Sequence, residues 1–172
     1  MRQVIPAIII TTLLLAGCQA PQRYVPPQVV PGSVAAVSGS DRAGLRGAQT
    51  RLMQIDGLPI SAGPQLANNN SLVPITLGPH AIDVIVDIRS DGKVMAGFAK
   101  LTAQIDKAKV FKARAGEATI LTGDCARALV WIEAGDGSLA SERVPVTMRP
   151  GIRGPSIAVE MLAYSLRGEC PK

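Results

Sequence analysis

Apolar and polar residues alternate along most of the chain beyond position 50. Ile82, Val84, Val86 and Ile88 fall on one side of an extended segment, and Asp83 and Asp87 fall on the other. This is the period-two pattern of a strand with one face on a core. It makes the two carboxylates a solvated face, roughly 13 Å apart along the strand and too distant to share a proton. Asp91-Gly92 follows, and glycine accepts positive φ without a Cβ clash, so a tight hairpin should return residues 93–104 as the partner strand. Further strands are expected over residues 51–56, 72–77, 109–114, 118–121, 127–133 and 139–146. Asp56-Gly57, Gly116, Gly123 and Asp136-Gly137 punctuate them. Short strands at this spacing predict a mainly β chain folded as a β-sandwich or small barrel.

The C-terminal pattern supports two readings. Val159, Leu162, Ala163 and Leu166 recur at helical spacing between Pro155-Ser156 and Gly168, while Ile157, Val159, Met161 and Ala163 also alternate. The helix formers Ala158, Glu160, Met161 and Leu162 tip residues 157–166 towards a short helix.

The N-terminal pattern is different in kind. Arg2 precedes an apolar run over residues 4–15 that is too short to stay in a bilayer as a spanning helix. Leu15-Ala16-Gly17-Cys18 closes the run and resembles the lipobox of bacterial lipoproteins. The resemblance implies a signal peptide over residues 1–17, cleavage between Gly17 and Cys18, and diacylglyceryl modification of the Cys18 thiol. Gln19 stands at the position that, in enterobacterial sorting, permits transfer to the outer membrane. The expected location is therefore the cell outer membrane, lipid-anchored, with the domain in the periplasm.

Residues 18–48 read as the acylated cysteine and a flexible tether. Pro21, Pro26, Pro27 and Pro31 favour an extended conformation over residues 19–32, and residues 33–47 are rich in Ser, Gly and Ala. At roughly 3.1 Å per residue the proline-rich part alone would reach about 40 Å. Pro26-Pro27 or Tyr24 could instead dock into a partner. On this reading the folded domain spans residues 49–172.

Composition narrows the function classes. Cleavage leaves 155 residues, the size of one domain, and lowers the formal charge from +5 to +4. The basic residues are scattered and the chain holds two Tyr, two Phe and one Trp, which argues against nucleic acid as a partner. With Cys18 acylated, Cys125 and Cys170 form an even pair in an oxidising compartment, and a disulfide is expected between them. Closing that loop of about 45 residues would add on the order of 4 kcal/mol of stability.

Motifs for chemistry are scarce. There is no glycine-rich phosphate loop, HExxH, GxSxG or CxxC, and a single histidine cannot build a multi-histidine metal site. No catalytic residue, metal or cofactor is therefore assigned. His80 reads as a turn residue at a strand start, Asp124 as part of a polar turn, and Trp131 as a core or interface aromatic, with core the favoured reading.

Ile55-Asp56-Gly57, residues 73–77, Gly78-Pro79-His80 and the strand over 81–88 together resemble the PEGA-type small β-domains of bacterial envelope proteins. Gly78-Pro79 reverses that family's usual order. A second stretch, with residues 113–116, Val130-Trp131-Ile132-Glu133 and Asp136-Gly137, resembles the later half of related bacterial lipoproteins. The two likenesses imply an immunoglobulin-like or transthyretin-like sandwich and a scaffolding or wall-associated role. Three functions follow as expectations. The first is a non-enzymatic interaction or accessory module with an envelope protein partner. The others are a binder of lipid, glycan or peptidoglycan, and a hydrolase whose site the sequence does not display.

Overall fold

The computed structural model describes residues 22–28, 30, 32–41, 47–60, 71–90, 93–122 and 124–150. Among these residues there are ten strands and no helix. The strands are β1 (Val34–Ser38), β2 (Gln49–Ile55), β3 (Leu58–Pro59), β4 (Val73–Thr76) and β5 (Gly78–Ser90). They continue as β6 (Lys93–Ile105), β7 (Val110–Ala115), β8 (Thr119–Thr122), β9 (Cys125–Ala134) and β10 (Val144–Pro150). The chain is mainly β, as the alternation predicts. The 157–166 segment lies outside the described residues.

Local sequence sets the tightest connections. β5 and β6 pair along their whole length, from Gly78 opposite Ile105 to Ser90 opposite Lys93, so only residues 91 and 92 join them. That is the register a two-residue hairpin requires. The β2–β3 turn places Asp56 at φ 53° and Gly57 at φ 77°, with Ile55 opposite Leu58. Both central residues are left-handed, a geometry that Asp and Gly tolerate and β-branched residues resist.

The hydrogen-bonded order is β3-β2-β5-β6-β10-β9-β7-β1-β4, with β8 attached to β9. Pairing is antiparallel except between β1 and β7. The path folds back on itself because β10 serves two neighbours. Its residues Val144 to Met148 pair with β9, and Arg149 and Pro150 pair with β6. Gly97 of β6 makes this crossing possible, since a Cβ there would stand 2.4 Å from the Thr147 carbonyl oxygen and 2.6 Å from Val146 Cγ1.

A polar seam joins the far ends of the path. Ser40 bridges Thr50, whose fully buried hydroxyl donates to the Ala113 carbonyl at 2.6 Å and accepts from the Ser40 backbone N–H at 2.9 Å. Burial is tolerated there because the hydroxyl is fully engaged. Between the seam and the crossing lies the core, in which Ile82, Val84, Val86, Leu101, Ile105, Val130, Ile132 and Met148 are completely buried. Each such side chain contributes about 1.5–3 kcal/mol relative to exposure.

Three expectations need correction. The folded unit starts before residue 49, because β1 pairs with both β4 and β7 and buries Val37 completely. Alternation in Val34–Ser38 is masked by small residues, and a neighbouring strand supplies the hydrogen bonds that the tether reading lacked. Tyr24 is likewise tied down: its N–H donates to the Pro59 carbonyl at 3.0 Å and its hydroxyl to the Pro74 carbonyl at 2.8 Å. Finally, Asp83 and Asp87 are buried rather than solvated: β5 lies between β2 and β6, and Arg51 of β2 reaches Asp87 at 2.9 Å.

Candidate functional site

Polar and charged side chains gather in two places. The first is the corner where β4 turns into β5 through Gly78, at φ 129°. His80 is buried there, third in β5 rather than in a turn. Its Nδ1 lies 2.8 Å from Asp56 Oδ2, and its Nε2 lies 3.0 Å from the Thr76 carbonyl oxygen and 3.2 Å from Thr76 Oγ1. Asp56 Oδ1 also accepts the Ala81 N–H at 2.9 Å. With both ring nitrogens protonated, His80 donates to a carboxylate and a carbonyl; with Nε2 bare, the Thr76 hydroxyl can donate to it instead.

The order carboxylate, imidazole, hydroxyl is that of a hydrolase relay. Here, however, the imidazole faces the Thr76 carbonyl more closely than the hydroxyl, and its partners are the strand ends that it joins. The arrangement ties the β2–β3 turn and the end of β4 to β5. Tyr24 belongs to the same corner. Burial, and secondarily the nearby Asp56 carboxylate, push its phenol above the usual tyrosine range.

The second gathering is the outer face of β7, β9 and β10. Alternation along β9 buries Ala128, Val130 and Ile132 and turns Arg127, Leu129, Trp131 and Glu133 outwards. Register aligns Lys112 with Glu133 and Arg114 with Trp131 on one side, and Pro145 with Leu129 on the other. Trp131 is half-buried on this face rather than in the core. Its indole N–H donates to Glu133 Oε2 at 2.7 Å, and the Arg143 guanidinium carbon lies 4.8 Å from the ring centroid. Arg114 Nε donates to Glu133 Oε1 at 3.0 Å. Gly116 leaves room beside the ring, 3.7 Å from where its Cβ would be.

The result is an exposed surface. Lys112, Arg114, Arg127 and Arg143 are spread along this face, and Glu133 is already engaged by Arg114 and the indole. Leu129 is 45% exposed beside Trp131, and Pro145 opposite it in β10 is exposed as well, whereas Ile120 of the adjoining β8 pairs with Ala126 and belongs to the other side of the sheet. Such a surface suits contact with an extended partner better than enclosure of a small molecule. The depression between β6 and residues 139–142 offers less: Ser141 Oγ in its wall is used up by the Ile132 N–H and the Glu142 carbonyl.

The expected site residues are dispersed. Gly17, Cys18 and Cys170 lie outside the described residues, and Cys125 opens β9 as a buried residue. Asp124 accepts from Lys93 Nζ at 2.9 Å in an exposed ion pair, in the turn expected for it. Among the described residues no three His, Cys, Asp or Glu side chains stand close enough to hold a metal ion. Apart from Lys112 and Arg114, the basic residues of the Trp131 face are far apart in sequence, so their spacing carried no cluster signal. The period-two alternation of residues 127–133 was the signal for the face itself.

No family model, curated protein or solved structure matches this chain.

Proposed function

We propose that the chain is a membrane-anchored envelope lipoprotein whose β-domain is a non-enzymatic interaction or accessory module, held at the outer membrane with the domain in the periplasm. The observation that carries this reading is Leu15-Ala16-Gly17-Cys18 at the end of a short apolar run. Acylated Cys18 would fix the chain to the membrane. Five residues separate it from Tyr24, which among the described residues is the first side chain bonded to the domain. The resemblance to PEGA-type domains fits the same picture, with the two halves of the folded path read as the layers of an immunoglobulin-like or transthyretin-like sandwich. In the oxidising periplasm Cys125 would pair with Cys170 and pin the C-terminal segment beside the start of β9.

The exposed charge and apolar area of the β7–β9–β10 face support docking as the mode of action. They also favour a second reading, in which that face binds lipid or an anionic envelope polymer. Two measurements separate the possibilities. Metabolic palmitate labelling should mark the protein and vanish with Cys18→Ser, which should also leave uncleaved precursor; label persisting on mature Cys18→Ser protein would end the anchoring reading. Affinity purification of the acylated protein from membranes should bring an envelope protein with it in stoichiometric amount. Recovery of the protein alone would remove the accessory-module reading.

A further inference from the structure

We infer that the outer face of β7, β9 and β10 is a docking surface for an anionic phospholipid bilayer. The inference builds on the anchoring reading only for proximity to a membrane; the surface itself stands on the geometry of the face. Its centre is Trp131 with Leu129 and Pro145 beside it, and its rim is Lys112, Arg114, Arg127 and Arg143. The rim complements a negative surface. Glu133 offsets one of these charges, held by an ion pair with Arg114 and a hydrogen bond from the indole N–H, and the excess on the face stays positive.

The apolar residues decide which anionic partner fits. A soluble polyanion would need the cations alone, and its binding would not explain aliphatic side chains left in water. Leu129 at 45% exposure and the exposed Pro145 opposite it in β10 provide apolar tips beside the basic rim. Aliphatic tips, an amphipathic indole and basic residues on one face match the layering of a bilayer interface, where indoles sit at headgroup depth and Lys and Arg meet lipid phosphates.

Trp131 is the sole tryptophan in the chain, so its fluorescence reports this face alone. The test uses full-length protein purified from membranes and reconstituted into two kinds of vesicle. One contains phosphatidylcholine only, and the other contains phosphatidylcholine with phosphatidylglycerol; both include brominated acyl chains. Co-flotation with either vesicle reports the N-terminal anchor. Quenching and a blue shift of Trp131 report docking of the face. Docking is expected with phosphatidylglycerol, much less without it, and should weaken with added salt. Arg127→Gln with Arg143→Gln should lower the docked-to-undocked ratio about thirtyfold, at roughly 1 kcal/mol per basic residue near the surface, while co-flotation is unchanged. Leu129→Ser should lower it with all charges intact.

Anchored protein whose Trp131 is unquenched on anionic vesicles would overturn the inference without touching the anchoring reading. Equal quenching on both vesicles would overturn the role of the basic rim. A Trp131 response to soluble polyphosphate, with none to brominated lipid, would assign the face to a soluble polyanion instead. Protein that fails to float yet is quenched when mixed with anionic vesicles would retain the docking face and remove the anchor.

Discussion

The outer face of β2, β5 and β6 and the outer face of β7, β9 and β10 are built from the same alternating pattern but end in opposite states. On the first, Asp83, Ile85 and Asp87 are all buried, and Arg51 reaches across from β2 to Asp87 at 2.9 Å. On the second, Leu129 is left in water and the guanidinium of Arg143 lies over an aromatic ring. Alternation fixes which side chains share a face. It does not fix what covers that face. The covered face accommodates carboxylates at a cost: Asp83 Oδ1 is buried without a hydrogen-bond partner, and desolvation raises its carboxyl above the usual range despite the opposing influence of Lys100.

The strongest way to break this contrast is at the crossing that couples the two halves. Gly97→Ala places a methyl against the Thr147 backbone and Val146, in a position that rotamer change at β6 cannot relieve. We expect a loss of about 3 kcal/mol in urea unfolding. Gly116→Ala, whose Cβ would meet only the edge of Trp131 at ordinary contact distance, is the matched control and should cost far less.

A comparably large but sharper test compares positions within the two halves. Ile82→Ala removes a completely buried side chain and should cost about 3 kcal/mol. Leu129→Ala removes an exposed one and should lie within about 0.5 kcal/mol of the parent. A large loss at Leu129 in the isolated protein would show that this face is covered in the molecule itself, and would undo the distinction.

The smallest effect concerns pH. The folded carboxyl of Asp83 is raised above its unfolded value, so its contribution to stability is present in acid below the unfolded range and is lost as pH rises through the folded value. Asp83→Asn removes the ionisable group. The variant should melt at a higher temperature than the parent near neutral pH, and the gain should shrink as the solution is acidified. A difference that is constant with pH would mean that the buried carboxylate is not the source.

Much of the architecture was legible without coordinates. Ile82, Val84, Val86 and Ile88 are the buried face of a strand as their spacing requires, and residues 93–104 return beside it through a two-residue link. The segments at 51–56, 72–77, 109–114, 118–121 and 127–133 are strands with ends shifted by one or two residues. The last expected strand was misplaced at its start. Over residues 139–143 only Leu139 and Ser141 form isolated bridges, and β10 begins at Val144. The strand β1 was missed, since a run of small residues after a proline-rich stretch has no local signature of pairing.

The sequence by itself determined the strand periods, the hairpin at Asp91-Gly92, the left-handed turn at Asp56-Gly57 and which residues of β9 share a face with Trp131. These follow from interactions within a few residues, where the side-chain period of two and glycine's backbone freedom act locally. Tertiary structure alone decided that Tyr24 and β1 belong to the domain, that Asp83 and Asp87 are buried, that His80 sits between Asp56 and Thr76, and that Trp131 stands in a basic rim drawn from β7, β9 and the segment leading into β10. Those outcomes depend on strand order and on the β10 crossing. Contacts between residues tens of positions apart are fixed only once the chain has folded back on itself.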